Sequence, residues 1–206
     1  MIETIVTVGL LAVIAAFVIP TVIQKAGVGD PVKVQNDLNS VRTAIETFAT
    51  DSKAGFPHQI SWLTSTPIAL SSRLIDSTAM TANQVTAWNG PYIGATMSAA
   101  SGDSLATGYN AHIMNFLDRF DITNNVAEHT ATGTVDPAFV PTGTLFVGVQ
   151  IHGLTYSQAT TLNRLVDGMS DPNQPDSSNT KGRLRFTKPL LGVVIAHYLA
   201  SPITQQ

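Results

Sequence analysis

Oxygen ligands are the first chemistry the sequence offers. The stretch DGMSDPNQPDSSNTKG gathers Asp167, Asp171, Asn173 and Asp176 in one polar segment, and calcium takes about six to eight such oxygens from flexible loops. The spacing does not follow an EF-hand, and Pro172 and Pro175 interrupt it, so a calcium loop competes with a plain solvated one. The five histidines, His58, His112, His129, His152 and His197, follow no metal-ligand spacing. His152 and His197 fall in strand-like apolar runs and read as satisfied core or edge residues. Cysteine is absent, which removes disulfides and thiolate chemistry. There is no Gly-x-Ser-x-Gly elbow, no Ser-x-x-Lys with its partner motifs and no glycine-rich phosphate loop. The expectation is therefore a protein without catalytic residues, with Ca2+ the one cofactor weighed.

The remaining chemical oddity is Glu3, which opens an otherwise uncharged run from Thr4 to Gln24 closed by Lys25. A carboxylate in a first turn favours unpaired helix N–H groups. Among hydrocarbon or packed apolar segments it needs a cationic partner instead, such as the α-amino group of a neighbouring subunit. As a helix the run would be about 30 Å long, enough to cross a bilayer core. A cleaved signal peptide fits less well, because the n-region is acidic and the apolar run is too long. Pro20 removes a helical hydrogen bond and Gly9 weakens the same helix, so the stretch between them bends or unwinds readily.

The elements behind this segment predict an α+β head. GVGDP at 27–31 interrupts the chain, and Val34, Leu38, Val41, Ile45 and Phe48 then form one apolar stripe of a helix over about 31–52. LFVGVQIHG (145–153) and LLGVVIAHYLA (190–200) read as strands, and GRLRF is expected to pair with the second across TKP. TYSQATTLNRLVDGM (155–169) reads as a short helix stopping at Gly168, with Ala159, Leu162, Leu165 and Val166 on one face. HIMNFLDRF (112–120) fits a helical turn or a strand equally well. The chain so divides into an apolar helix segment long enough to span a membrane, 1–29, and a globular head, 30–206, that includes the helix over about 31–52. Charged residues are few at 12 %, with a net charge of −3 and no basic cluster, so nothing here attracts nucleic acid.

The opening resembles the N-terminal segment of type IV pilins and of the pseudopilins of type II secretion systems. In that family a glutamate is followed seventeen residues later by a proline, as Glu3 is by Pro20, with an apolar filling like IVTVGLLAVIAAFVIP. Two further residues normally precede the glutamate, after a basic leader ending in glycine, and the sequence given departs from the family at that point. DLNSVRTAIETFATDSKAGFPHQISWL and the turn-forming WNGPYIG (88–94) extend the likeness to about residue 94.

The resemblance implies a pilin-like α+β fold, with a long, partly transmembrane N-terminal helix and a small antiparallel-sheet head. It implies a structural role in a pilus or pseudopilus filament, with Glu3, Gly9 and Pro20 serving self-association. It also implies a single-pass membrane protein before assembly, its head outside the cytoplasm, and an extracellular or periplasmic filament after it. Inner-membrane assembly machinery and a prepilin peptidase are the implied partners. Several pseudopilins hold calcium near the C-terminus, which bears on Asp167 to Asp176. The alternatives are a tip or anchored binding subunit for secreted substrate, DNA or surfaces, and an anchored enzyme.

Overall fold

The apolar stripe of the first helix explains the architecture, because it needs a sheet to cover. The computed structural model describes residues 30–52, 56–64, 82–95, 97, 104–123, 126–128, 143–168, 182–186 and 193–203. Helix α1 (30–52) buries Val34, Leu38, Val41, Ile45 and Phe48, the positions the 3–4 spacing selects. Its other side holds two (i, i+4) ion pairs, Lys33–Asp37 and Arg42–Glu46, each at 2.9 Å. Being exposed or half-exposed, such pairs contribute only about 0.3–0.5 kcal/mol each. Two short helical turns follow, α2 (Ser61–Thr64) and α3 (Ala82–Ala87).

The sheet has six antiparallel strands: β1 (Ser104–Ala106), β2 (His112–Asp121), β3 (Val126–Glu128), β4 (Leu145–Thr155), β5 (Leu184–Phe186) and β6 (Val193–Pro202). Their order is β1-β2-β4-β6-β5, with β3 beside β2. The stretch 112–120 is thus a strand, and GRLRF pairs with β6 as expected, Arg185 opposite His197 and Phe186 opposite Ala196. The TKP residues lie outside the described residues. The outer side of β2 is lined by three separate pieces. β1 covers its first residues and β3 its last. Between them Ile60 donates to the Asn115 carbonyl (2.7 Å) and Leu117 to that of His58 (2.9 Å).

Helix α4 (Tyr156–Asp167) follows β4 without a loop because Thr155 caps it. The Thr155 hydroxyl accepts from the Gln158 amide, and the Gln158 side chain accepts from the Thr155 amide, a reciprocal arrangement that satisfies two orphan donors. Gly168 ends it in the left-handed region, at φ 70°, where a side chain would be strained. Ala159 and Leu162 face the core and Val166 packs at its margin, but Leu165 is 40 % exposed, so the apolar face is narrower than its sequence suggests.

The expected pilin-like fold, with a long, partly transmembrane N-terminal helix above a small sheet, is not what the structure shows. The first described helix is α1, and no helix among the described residues is long and apolar enough to cross a membrane. The physical reason is in α1 itself, whose apolar residues occupy one stripe and are consumed by the sheet while Lys33, Asp37, Arg42 and Glu46 occupy the rest. The sheet, at six strands, is also larger than the expected head. Residues 1–29 lie outside the described residues.

Candidate functional site

Strand alternation gives the sheet two unlike faces. On the face toward α1, Leu117, Val149 and Tyr198 stand in one row of partners, and Ile113, Ile151 and Ala196 in another. All are buried, as pleated rows under a helix should be. The opposite face carries His112, Asp118 and Phe120 from β2, Gln150 and His152 from β4, His197 from β6 and Arg185 from β5. Register makes this cluster: His112 is opposite His152, Asp118 opposite Gly148, and Gln150 and Arg185 both flank His197. Three of the five histidines thereby share one face, although nothing in their chain spacing joins them.

The centre of the cluster is Asp118, whose side chain is 1 % exposed. A carboxylate so buried costs several kcal/mol unless it is paired or hydrogen-bonded. Here Gln150 Nε2 donates to Asp118 Oδ2, and His197 Nδ1 lies 3.6 Å from the same oxygen. The Gln150 amide is orientated by that bond. Its Nε2 must donate to the carboxylate, so its Oε1 accepts, and His152 Nε2, 3.0 Å away, must carry a proton. Hydrogen bonding thus links Asp118, Gln150 and His152 across β2 and β4.

Arg185 borders the cluster. Its guanidinium carbon lies 5.4 Å from the centroid of the Phe120 ring, within cation–π range. It donates to the carbonyls of Ile122 (3.0 Å) and Gly182 (3.2 Å). Burial lowers its pKa from the ordinary arginine value, and the charge of Asp167 partly restores it. The Phe120 and His197 rings are 5.5 Å apart. Together these residues hold a buried negative charge and fix donor directions, so the site is built for stable polar contact.

The residues singled out by sequence lie elsewhere. Asp167 sits at the C-terminal end of α4, and its carboxylate accepts from the amides of Arg183 (2.7 Å) and Leu184 (3.0 Å). It therefore ties β5 to the helix. Gly182 is at φ 78°, and a Cβ there would collide with the Asp167 carboxylate, so a glycine is required beside this tether. Asp171, Asn173 and Asp176 lie outside the described residues, as do Glu3, Gly9, Pro20 and His129. Among the described residues no group of three or more histidine or acidic side chains is placed to hold a metal ion. Loss of both Asp167 hydrogen bonds in Asp167→Ala is expected to cost about 1.5–3 kcal/mol, the value of one bond to a charged group, because the bond from Arg183 is exposed and adds little. Chemical denaturation checks it, with Asp167→Asn retaining part of the difference.

The WNGPYIG segment has a structural role. Trp88 Nε1 donates to the Trp62 carbonyl (2.8 Å), and Tyr92 donates from its hydroxyl to Asp51 (3.0 Å). The Tyr92 ring stands edge-on to Phe48 and to Trp88, so the turn is pinned to the end of α1. His58 lies edge-on to Trp62, 5.6 Å away. Desolvation, and then the charge of Arg119, hold its pKa below the ordinary histidine value.

Sequence reasoning missed Asp118, Gln150 and Arg185. A signal was present in LFVGVQIHG: Val147, Val149 and Ile151 alternate with Gly148, Gln150 and His152, which is how a strand with one apolar and one polar face is written. Comparison with known proteins adds no assignment, since no family model, curated protein or solved structure matches the chain.

Proposed function

We propose that the protein is a structural subunit of a type IV pilus-like or pseudopilus filament, joined to its neighbours through the apolar segment 4–24. One observation carries this reading. The apolar stripe of α1 is wholly used inside the head, with Val34, Leu38, Ile45 and Phe48 at 0 % exposure. The exposed large apolar side chains of the described residues are Val32, Leu165 and Ile195, and isolated apolar residues are ordinary on a folded surface. Segment 4–24 is uncharged throughout, and an apolar run of that length favours burial in lipid or against other copies. The Glu3 to Pro20 spacing supports the pilus-like choice among such assemblies.

In this reading the subunit performs no chemistry. It is held in the cell envelope by its apolar segment with the head outside the cytoplasm, and assembly machinery moves it into the fibre. Isolated filaments are expected to contain the chain many times over along their length. Removal of residues 1–29 is expected to leave a soluble head that unfolds cooperatively and no longer joins fibres. A truncated chain that is molten, or that still enters fibres, contradicts the reading, and so does a full chain found in no filament.

A further inference from the structure

We propose that Asn89 is a site of spontaneous self-modification, at which the chain deamidates to isoaspartate and aspartate. Asparagine converts when the main-chain nitrogen of the next residue attacks its side-chain carbonyl carbon and closes a cyclic imide. A glycine in that next position leaves the nitrogen least hindered, since it has no Cβ and turns freely about its backbone bonds. Asn89-Gly90 is the one Asn-Gly pair in the sequence. It follows α3 and lies outside any helix or strand, with Asn89 exposed and Gly90 half-buried. Reach is supplied by covalent connectivity, because the attacking and attacked atoms belong to neighbouring residues.

The structure separates this pair from others of similar chemistry. Asn89 is tied through its own main-chain amide, which donates to the Tyr92 hydroxyl at 3.0 Å. Among the described residues neither its side chain nor the Gly90 amide enters a hydrogen bond, so nothing there holds the carboxamide away or retains the amide proton. Asp167-Gly168, the one Asp-Gly pair, is held at both ends instead. Its carboxylate accepts from the amides of Arg183 and Leu184, and the Gly168 amide donates to the Arg164 carbonyl at 3.1 Å. Asn39-Ser40 lies inside α1, where the Ser40 amide is used by the helix, and Asn39 Oδ1 accepts from the Tyr198 hydroxyl at 3.4 Å. The glycine itself is imposed by packing. A Cβ on Gly90 would fall 2.6 Å from Trp88 Cζ2 and 2.9 Å from Tyr92 Cδ2.

The reaction balances with water alone. The Gly90 amide gives its proton to hydroxide, its nitrogen bonds to Asn89 Cγ, and the side-chain nitrogen departs as ammonia. Water then opens the imide at either carbonyl. Opening at the main-chain carbonyl leaves the chain running through the former side chain as isoaspartate, with an extra methylene, and opening at the other gives aspartate. Either product adds a negative charge to the turn whose Tyr92 hydroxyl donates to Asp51. The extra methylene of isoaspartate also shifts Trp88 against Tyr92, two rings that stand edge-on with centroids 5.8 Å apart. The hold of this turn on the end of α1 is thereby loosened.

The test incubates the full-length chain in non-ionic detergent at mildly alkaline and at mildly acidic pH. Pepsin digestion in acid and mass spectrometry with fragmentation then locate the products. The peptide carrying residue 89 should exchange NH for oxygen before any other asparagine peptide does, with isoaspartate the larger product. Conversion should be faster in the alkaline buffer, because the Gly90 amide must lose its proton. Asn89→Gln should lose the mass change, since its longer side chain closes a less favoured ring. The converted chain, separated by anion exchange, should unfold at lower urea than the unconverted one, whereas freshly prepared Asn89→Asp keeps the parental midpoint. A residue 89 that stays asparagine, or conversion led by another asparagine, overturns the proposal. An unchanged midpoint in the converted chain overturns the loosening of the turn.

Discussion

Phe48→Ala is expected to cost about 3–5 kcal/mol of folding stability, the usual range for emptying a buried aromatic site. Phe48 is 0 % exposed and lies where three parts of the head meet. Its ring centroid is 6.2 Å from that of Trp62 and 5.9 Å from that of Tyr92. The surroundings cannot collapse easily, because Trp88 and Tyr92 are held by hydrogen bonds to the Trp62 carbonyl and to Asp51, so a cavity remains. The loss is about a fifth or more of the stability of an ordinary domain, roughly 5–15 kcal/mol. Phe48→Leu retains most of the volume and should cost less than about 1.5 kcal/mol. Urea midpoints at constant slope measure both. A loss below about 1 kcal/mol for Phe48→Ala would show that Phe48 is not central.

Phe48 belongs to the part of the molecule that was legible from its residues alone. Five apolar positions at spacings of four and three specify a helix with one buried face, and all five are buried. The Thr155 cap, the Gly168 stop and the pairing of GRLRF with β6 were likewise written in local residue types. HIMNFLDRF resisted for a physical reason. Ile113 and Leu117 both face the core four residues apart, a spacing that a strand and a helical turn share, and the residue midway between them, Asn115, is polar and so breaks the apolar alternation. The polar face of the sheet was hidden for another reason. His112, His152 and His197 stand far apart in the chain and meet only through register, a property of pairing that no local window contains. The transmembrane expectation rested on the hydropathy of residues 4–24, and it does not extend to α1, where polar and apolar residues share each turn.

Glu3→Ala and Glu3→Gln are expected to slow or abolish fibre formation while leaving the stability of the head unchanged. Glu3 precedes α1 by more than twenty residues and lies outside the described residues. In the proposed filament it would lie among apolar segments, where a carboxylate persists only beside a cation. Removing one member of a fully buried pair leaves the other charge unpaired, at about 3–5 kcal/mol. That is a factor of roughly a hundred to a few thousand in an equilibrium constant for adding a subunit. Were Glu3 only a first-turn residue facing the helix dipole, its loss would cost less than about 1 kcal/mol, and fibres would form nearly as before. Fibre yield from the three proteins, compared at equal amounts of subunit, separates the two. Normal yield from both variants would remove Glu3 from the contacts that hold the filament.

The three separate pieces along the outer side of β2 bear on crowding. In the proposed filament each subunit would lie among copies of itself at high local concentration, where a bare strand would invite pairing with the wrong neighbour. On this head the side of β2 is occupied in turn by β1, by residues 58–60 and by β3. None of the three is long enough to template a new strand, and the far margin is the three-residue β5. The described sheet thus presents ragged borders, and in the proposed filament neighbouring copies would be steered away from fusing into one continuous ribbon. Order in such an assembly would be dictated by the segment meant to dictate it, and the heads would stay individually replaceable.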